Sequence, residues 1–153
     1  MRRFFSVVSA AMLMAGASVA GAAEVSLGKP HVFLIFEDSG GLSNELATVE
    51  GPVLAMTDKG RSLQMVVDVI VDGEPDALFF DPPRVEVTAR GDRGDVLFQK
   101  TWPIGSIGDY GTTMRSFIVD HDCRPVTVEA RLTAGGADAG RWEKRVAISC
   151  EAP

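Results

Sequence analysis

The sequence predicts an all-β protein, and three features carry that prediction. Apolar residues alternate with polar ones over several short runs, which is the period of a half-buried strand. Clusters of Gly, Pro, Asp and Ser separate these runs at short spacing, as turns do. No run of helical period follows residues 1–22. Together these features favour an antiparallel, immunoglobulin-like β-sandwich of about seven to nine strands, with a small β-barrel as the alternative.

Residues 1–22 have the composition of a cleaved export signal. Arg2 and Arg3 supply the positive end of such a signal. An uncharged, mainly apolar run follows over residues 4–20, and Ala20-Gly21-Ala22 matches the small-x-small cleavage pattern. A transmembrane anchor would need about 20 strongly apolar residues, whereas Ser, Gly and Ala weaken this run. The arginine pair leaves the twin-arginine export route open beside the general secretory route.

We expect the mature protein to begin near Ala23 and to accumulate in the periplasm or outside the cell, because the signal is removed during export. N-terminal sequencing of the exported protein checks this expectation. An exported species that still begins with Met1 would contradict it.

The charge of the mature chain narrows the range of partners. Removal of residues 1–22 from 153 leaves 153 − 22 = 131 residues, which suits a single domain over residues 23–153. The removed segment contains two arginines and no acid, so 15 − 2 = 13 basic residues stand against 21 acidic ones, a formal charge of −8. An acidic surface repels phosphate backbones, which argues against nucleic acid as a partner. No membrane span is expected in the mature protein.

The first half of the mature chain contains three predicted strands. Residues 31–36 and 52–56 are short β-rich apolar runs, separated by a polar, Gly-containing loop. Residues 63–71 form the longest run, and its odd-numbered residues, from Leu63 to Val71, share one apolar face. The opposite face also carries apolar residues such as Val66 and Ile70, which predicts a central strand that is partly covered on both sides.

The next segments predict one hairpin and one exposed loop. Residues 84–90 alternate cleanly, and a Gly-Asp-Arg-Gly turn at 91–94 leads into residues 95–100. Before that hairpin, the apolar tetrad 77–80 is stopped by Asp81-Pro82-Pro83, because two prolines cannot donate hydrogen bonds to a ladder. Residues 105–111 contain three glycines and form a flexible loop before the strand at 113–119.

Two cysteines bracket the final hairpin, around which the fold is organised. Its first strand alternates over residues 126–132, residues 133–140 hold three glycines and suit a turn, and Trp142, Val146 and Ile148 continue on the return strand. Folding the hairpin brings Cys123 and Cys150 together. Since the chain is expected to be exported, these two cysteines are predicted to form a structural disulfide.

Several short motifs resemble functional sites but are interpreted as loops. Asp38-Ser39-Gly40-Gly41 resembles a serine-protease signature, yet it lies early in the chain without the surrounding context. The acidic residues at 72, 74 and 76 lack the glycine and the distant glutamate of a calcium loop. His31 and His121 have no matching ligand spacing, and His121 is expected in a solvated loop. We therefore expect no catalytic residue, no metal ligand and no cofactor.

The favoured function is a protein-interaction or accessory module that binds another periplasmic or envelope protein. The candidate interaction surface consists of Leu78, Phe79 and Phe80, beside the loop 105–111. Alternation predicts that Leu78 and Phe80 face the core and that Phe79 points outward. The alternative is a small-ligand or ion-binding protein with a cleft lined by aromatic residues such as Phe79, Phe80 and Trp102. A hydrolase is the weakest reading, and the chain is not expected to be an enzyme.

Overall fold

The computed structural model describes residues 24–151, and these residues form strands joined by turns and loops, without a helix. The signal peptide predicted for residues 1–22 lies outside the described residues. The eleven strands, numbered in chain order, are β1 (Val25–Leu27), β2 (His31–Ile35), β3 (Pro52–Leu54), β4 (Met56–Thr57), β5 (Gly60–Arg61), β6 (Gln64–Gly73), β7 (Arg84–Gly91), β8 (Val96–Pro103), β9 (Thr112–Asp120), β10 (Val126–Ala134) and β11 (Ala137–Ser149).

Two open sheets make up the domain, and the predicted all-β sandwich is confirmed. In the first sheet, β1 and β2 pair with successive parts of one edge of β6, and β9 pairs with its other edge. The second sheet has the order β3-β11-β10-β7-β8. A small β4-β5 ribbon stands apart. None of the sheets formed by residues 24–151 closes into a barrel, so the alternative fold is not the one adopted. No helix in this part of the chain has the length and apolar composition needed to cross a membrane.

The strand order is that of an immunoglobulin-like sandwich. Seven strands are five residues or longer, and the other four have only two or three. The set β2, β6 and β9 faces the set β7, β10 and β11, as the A-B-E and C-F-G strands do in that architecture. One pair departs from the antiparallel pattern, because β3 runs parallel to β11.

The core lies between the two sheets and follows the predicted alternation. Every second residue along β6, β7 and β10 is fully buried, and these residues are Met65, Val67, Val69, Val71, Val85, Val87, Ala89, Val126, Val128, Ala130 and Leu132. The second face of β6 is half-buried at Val66, Asp68 and Ile70, as the sequence predicts for a central strand. The inward face of β11 is buried at Val146 and Ile148 and half-buried at Trp142.

The final hairpin forms with a shorter turn than predicted, because residues 133–134 and 137–140 belong to the strands and only Gly135 and Gly136 lie between them. It brings the cysteines together. Strands β10 and β11 pair from Val126 opposite Val146 to Ala134 opposite Ala137, with one irregularity after Leu132. Cys123 and Cys150 lie at disulfide distance, with their Cα atoms 5.3 Å apart. This Cα separation is within the range that a disulfide requires. The bridge would join the loop before β10 to the end of β11.

Candidate functional site

Two loops form one end of the sandwich and are joined by backbone hydrogen bonds. One loop connects β6 to β7 and the other connects β8 to β9. The backbone N–H of Phe79 donates to the carbonyl of Gly105 at 3.0 Å, and that of Ile107 donates to Ala77 at 2.9 Å. The N–H of Gly73 donates to Gly111 at 2.9 Å, so the bases of the loops are tied as well. These bonds hold the predicted segment 77–80 against the predicted loop 105–111.

Three large apolar side chains project from these loops into solvent. Leu78 is 75% exposed, Phe80 105% and Tyr110 90%. They are more exposed than the other large apolar side chains of residues 24–151, of which Met114 is next at 58%. We call Leu78, Phe80 and Tyr110 the end-loop surface. Since exposed apolar surface can mark a contact site, these three residues on two hydrogen-bonded loops are the candidate functional site.

The predicted facing of the tetrad 77–80 is wrong. Leu78 and Phe80 point to solvent, whereas Phe79 is half-buried and packs against the core. The physical reason is that the tetrad belongs to neither main sheet. It forms only an isolated bridge, between Leu78 and Ser106, and that bridge sets which side chains turn inward. Ile104 and Ile107 on the neighbouring loop are buried in the core cluster against which Phe79 packs.

Tyr110 was not singled out from the sequence, although its loop was. It lies in a tight turn in which the N–H of Gly111 donates to the carbonyl of Gly108 at 2.9 Å. Gly111 has a φ of 76°, a left-handed conformation that favours glycine. Tyr110 lies within this turn, and its side chain is exposed. The Gly-Asp-Tyr-Gly pattern at 108–111 was the available signal.

The surroundings of the end-loop surface are acidic. Glu74, Asp76, Asp81 and Asp109 are all exposed on the same two loops. Residues 72–83 and 103–114 contain no Lys, Arg or His. Among the residues that the structure describes, none of these four carboxylates forms an ion pair or a side-chain hydrogen bond.

Comparisons with known proteins do not assign this chain to a family. No protein-family model matches it, and no curated protein matches it. Among solved structures, the chain is similar to a Bacteroides fragilis protein with a provisional beta-galactosidase name. The match has 18% identity and a TM-score of 0.41, and it covers 56% of this chain and 14% of that one. It is also similar to Spo0M, a sporulation control protein from Bacillus subtilis, with 16% identity, a TM-score of 0.34 and coverage of 86% and 51%. Neither likeness assigns a function.

At the opposite end of β6, His121 is fully buried, which corrects the prediction of a solvated loop. Its exposed fraction is 0%, as is that of Ser62. The N–H of Cys123 donates to Nδ1 of His121 at 3.1 Å, so Nδ1 is an acceptor and Nε2 carries the proton. Nε2 then donates to the Ser62 hydroxyl at 3.2 Å, and that hydroxyl donates to the carbonyl of Gln64 at 2.9 Å. Every polar atom of this chain of bonds is thereby satisfied.

Burial lowers the pKa of His121 to about 4, because the imidazolium would lose its hydration. The nearby carboxylates of Asp122 and Asp120 act in the opposite direction, but more weakly. The Ser62–His121 pair has the atoms of a nucleophile and a base. Neither side chain reaches solvent, however, so the pair has no surface on which to meet a substrate. Its visible role is to position the loop that carries Cys123.

The protease-like motif forms a turn. The hydroxyl of Ser39 accepts the N–H of Gly41 at 3.1 Å and donates to the carbonyl of Lys59 at 3.4 Å. Gly40 has a φ of 62°, which a turn of this kind requires. Neither histidine is a hydrogen-bond partner of Ser39 in the described chain.

The residues expected to line a ligand cleft do not meet in one. Trp102 is 8% exposed in the core, whereas Phe80 is fully exposed. A different cavity, of about 330 Å³, lies between the β2–β3 connection and the β4-β5 ribbon. Its lining combines apolar residues such as Phe36 and Leu46 with Asn44, Asp58 and Lys59. Among residues 24–151, no group of three or more His, Cys, Asp or Glu side chains is placed to hold a metal ion.

Proposed function

We propose that this chain is an exported interaction module that binds a periplasmic or envelope protein through the end-loop surface. The observation that carries the proposal is the simultaneous exposure of Leu78, Phe80 and Tyr110 on two loops that are hydrogen-bonded to each other. Full burial of one such side chain contributes about 1.5–3 kcal/mol. Aromatic residues are also the commonest anchors of protein interfaces.

Export is part of the proposal and is supported from both ends of the chain. The composition of residues 1–22 is that of a signal peptide. The cysteine pair at disulfide distance fits an oxidising compartment outside the cytoplasm. A rigid sandwich with a short, exposed apolar end suits an accessory role, in which the partner supplies the complementary pocket.

Replacing Phe80 with serine tests the proposal. The Phe80 side chain is fully exposed and is not part of the core. We therefore expect Phe80→Ser to change the free energy of unfolding by less than about 1 kcal/mol. The same change should abolish retention of the partner in affinity capture from a periplasmic extract. Ile118→Ser is the matched control, because Ile118 is 55% exposed on β9, opposite Val66 and away from the end loops. Loss of the partner with both variants, or with neither, would contradict a site at the end loops.

Phe79→Ala separates packing from docking in the same segment. Phe79 is half-buried against the core, so we expect about 2 kcal/mol of destabilisation, roughly half the cost at a fully buried Phe. Urea unfolding of Phe79→Ala and Phe80→Ser side by side gives the comparison. Equal losses of stability would mean that Phe80 is not free in solution.

A second candidate function is small-ligand binding in the cavity beside β3. Its volume of about 330 Å³ is at the lower end of the range for ligand sites. Its apolar walls, together with an amide, a carboxylate and an ammonium group, suit a small amphipathic ligand that carries both hydrogen-bond donors and acceptors. Saturable binding that is lost in Lys59→Ala but kept in Phe80→Ser would favour this function.

A further inference from the structure

We propose that the segment recognised by the end-loop surface is cationic as well as apolar, with Lys or Arg alternating with large apolar residues. This inference rests on the proposed function and adds the chemical class of the partner. The acids alone would not make a site. They matter because they lie on the same two loops as three highly exposed apolar side chains.

The end loops combine unpaired carboxylates with exposed apolar side chains. Some acids elsewhere have cationic neighbours: Arg131 lies 3.2 Å from Asp138, and Lys144 lies 3.5 Å from Glu50. Other exposed acids, such as Glu37, have no ion pair within residues 24–151. The end loops differ from these isolated acids because four exposed, unpaired carboxylates share two hydrogen-bonded loops with three exposed apolar side chains.

The cation closest in sequence forms no ion pair with these carboxylates. Arg84 follows Pro83 and borders the same shallow cavity as Asp81, but the two side chains form no ion pair. Glu74, Asp76 and Asp109 lie further from it along the chain. A partner that buries Phe80 and Tyr110 would bring its own groups close to these carboxylates.

Like charges at an interface are costly and opposite charges steer association, so the acids select among apolar partners. An anionic membrane or an acidic segment would be repelled by the same loops. A Lys or Arg side chain would gain both a carboxylate and the face of an aromatic ring, because a cation is attracted to the ring electrons of Tyr and Phe. The favoured occupant is consequently an extended basic and apolar stretch of polypeptide.

Two synthetic peptides of equal length test this inference. Both carry the same Leu and Trp residues, and the positions between them are Lys and Arg in one peptide and Glu in the other. Fluorescence anisotropy with the mature protein measures binding of each labelled peptide. We expect the basic peptide to bind about tenfold or more tightly than the acidic one, and its affinity to fall as salt is raised.

Two charge variants locate the effect. The first variant replaces three end-loop acids with their amides, as Glu74→Gln/Asp76→Asn/Asp109→Asn. We expect this variant to lose the preference for the basic peptide. The matched control, Glu37→Gln/Asp58→Asn/Asp92→Asn, removes the same charge from exposed positions outside the end loops and should keep the preference. Retention of the preference in the first variant, or its loss in both, would overturn the inference.

The outcomes also separate this inference from the proposed function. If both peptides bind equally and Phe80→Ser abolishes both, the docking surface stands and the charge preference is refuted. If neither peptide binds, the inference is refuted as well. A different result contradicts the proposed function: Phe80→Ser would leave capture of the natural partner unchanged.

Discussion

Replacing Cys150 with serine is expected to lower the free energy of unfolding by about 2–5 kcal/mol, the largest single effect we predict. Cys123 and Cys150 are separated by 27 positions. A cross-link between them restricts the unfolded chain, and a loop of this size accounts for about 3–4 kcal/mol in the chain-entropy description. Urea unfolding of the wild type and of Cys150→Ser measures the difference.

The double variant Cys123→Ser/Cys150→Ser is the control, because the single variant leaves a reactive thiol behind. Both variants should be destabilised to a similar extent if the cross-link itself is responsible. Alkylation under non-reducing conditions, followed by mass spectrometry, reports the state of the native cysteines. Two alkylated cysteines in the native protein would refute the predicted disulfide.

Acidification from pH 7 to pH 4 is expected to cost about 3 kcal/mol of stability through His121 alone. The folded state lowers the pKa of this residue from 6.5 to about 4. Between those values the unfolded chain binds a proton that the folded protein does not. The contribution of His121 to the free energy of unfolding is therefore fully present above pH 6.5. It is lost as the pH falls towards 4, and it changes no further below pH 4. A proton on Nδ1 would also oppose the N–H of Cys123, which now donates to that atom.

His121→Asn isolates this contribution. The amide oxygen can accept the N–H of Cys123, and the amide group does not titrate. We expect the variant to lose about 3 kcal/mol less than the wild type between pH 7 and pH 4. Asp120 and Asp122 face the same site and are present in both proteins, so they do not account for a difference between the two. An identical pH dependence in the two proteins would contradict the assignment.

The fold was largely predictable because the alternation of apolar and polar residues and the residue types of turns are local properties of the sequence. Alternation in β7 and β10 gives the inward residues directly, and turn residues mark the ends of both hairpins. The pairing of Cys123 with Cys150 follows from the second hairpin. The parallel pairing of β3 with β11 leaves no comparable signal, because it depends on where two distant segments meet.

The predictions that were wrong concern residues whose burial depends on contacts with distant parts of the chain. His121 lies in a polar sequence, yet Ser62 and Leu63, just before β6, provide its hydrogen-bond partners. The facing of Phe79 and Phe80 is set by a bridge to Ser106, which lies beyond an intervening hairpin. Alternation predicts that neighbouring residues face opposite ways. It does not predict which of them faces inward when the segment lies outside the main sheets.

The parallel contact between β3 and β11 also constrains the order of assembly. Lys144 on β11 donates to the carbonyl of Val49, just before β3, across a separation of 95 residues. The second sheet cannot acquire its outer strand until nearly the whole chain is present. Long-range pairing of this kind slows folding, and β-sandwiches typically fold in milliseconds to seconds. During synthesis or translocation, the early segments would therefore wait in an incomplete state, and Pro52–Leu54 would dock only when the final strand arrived.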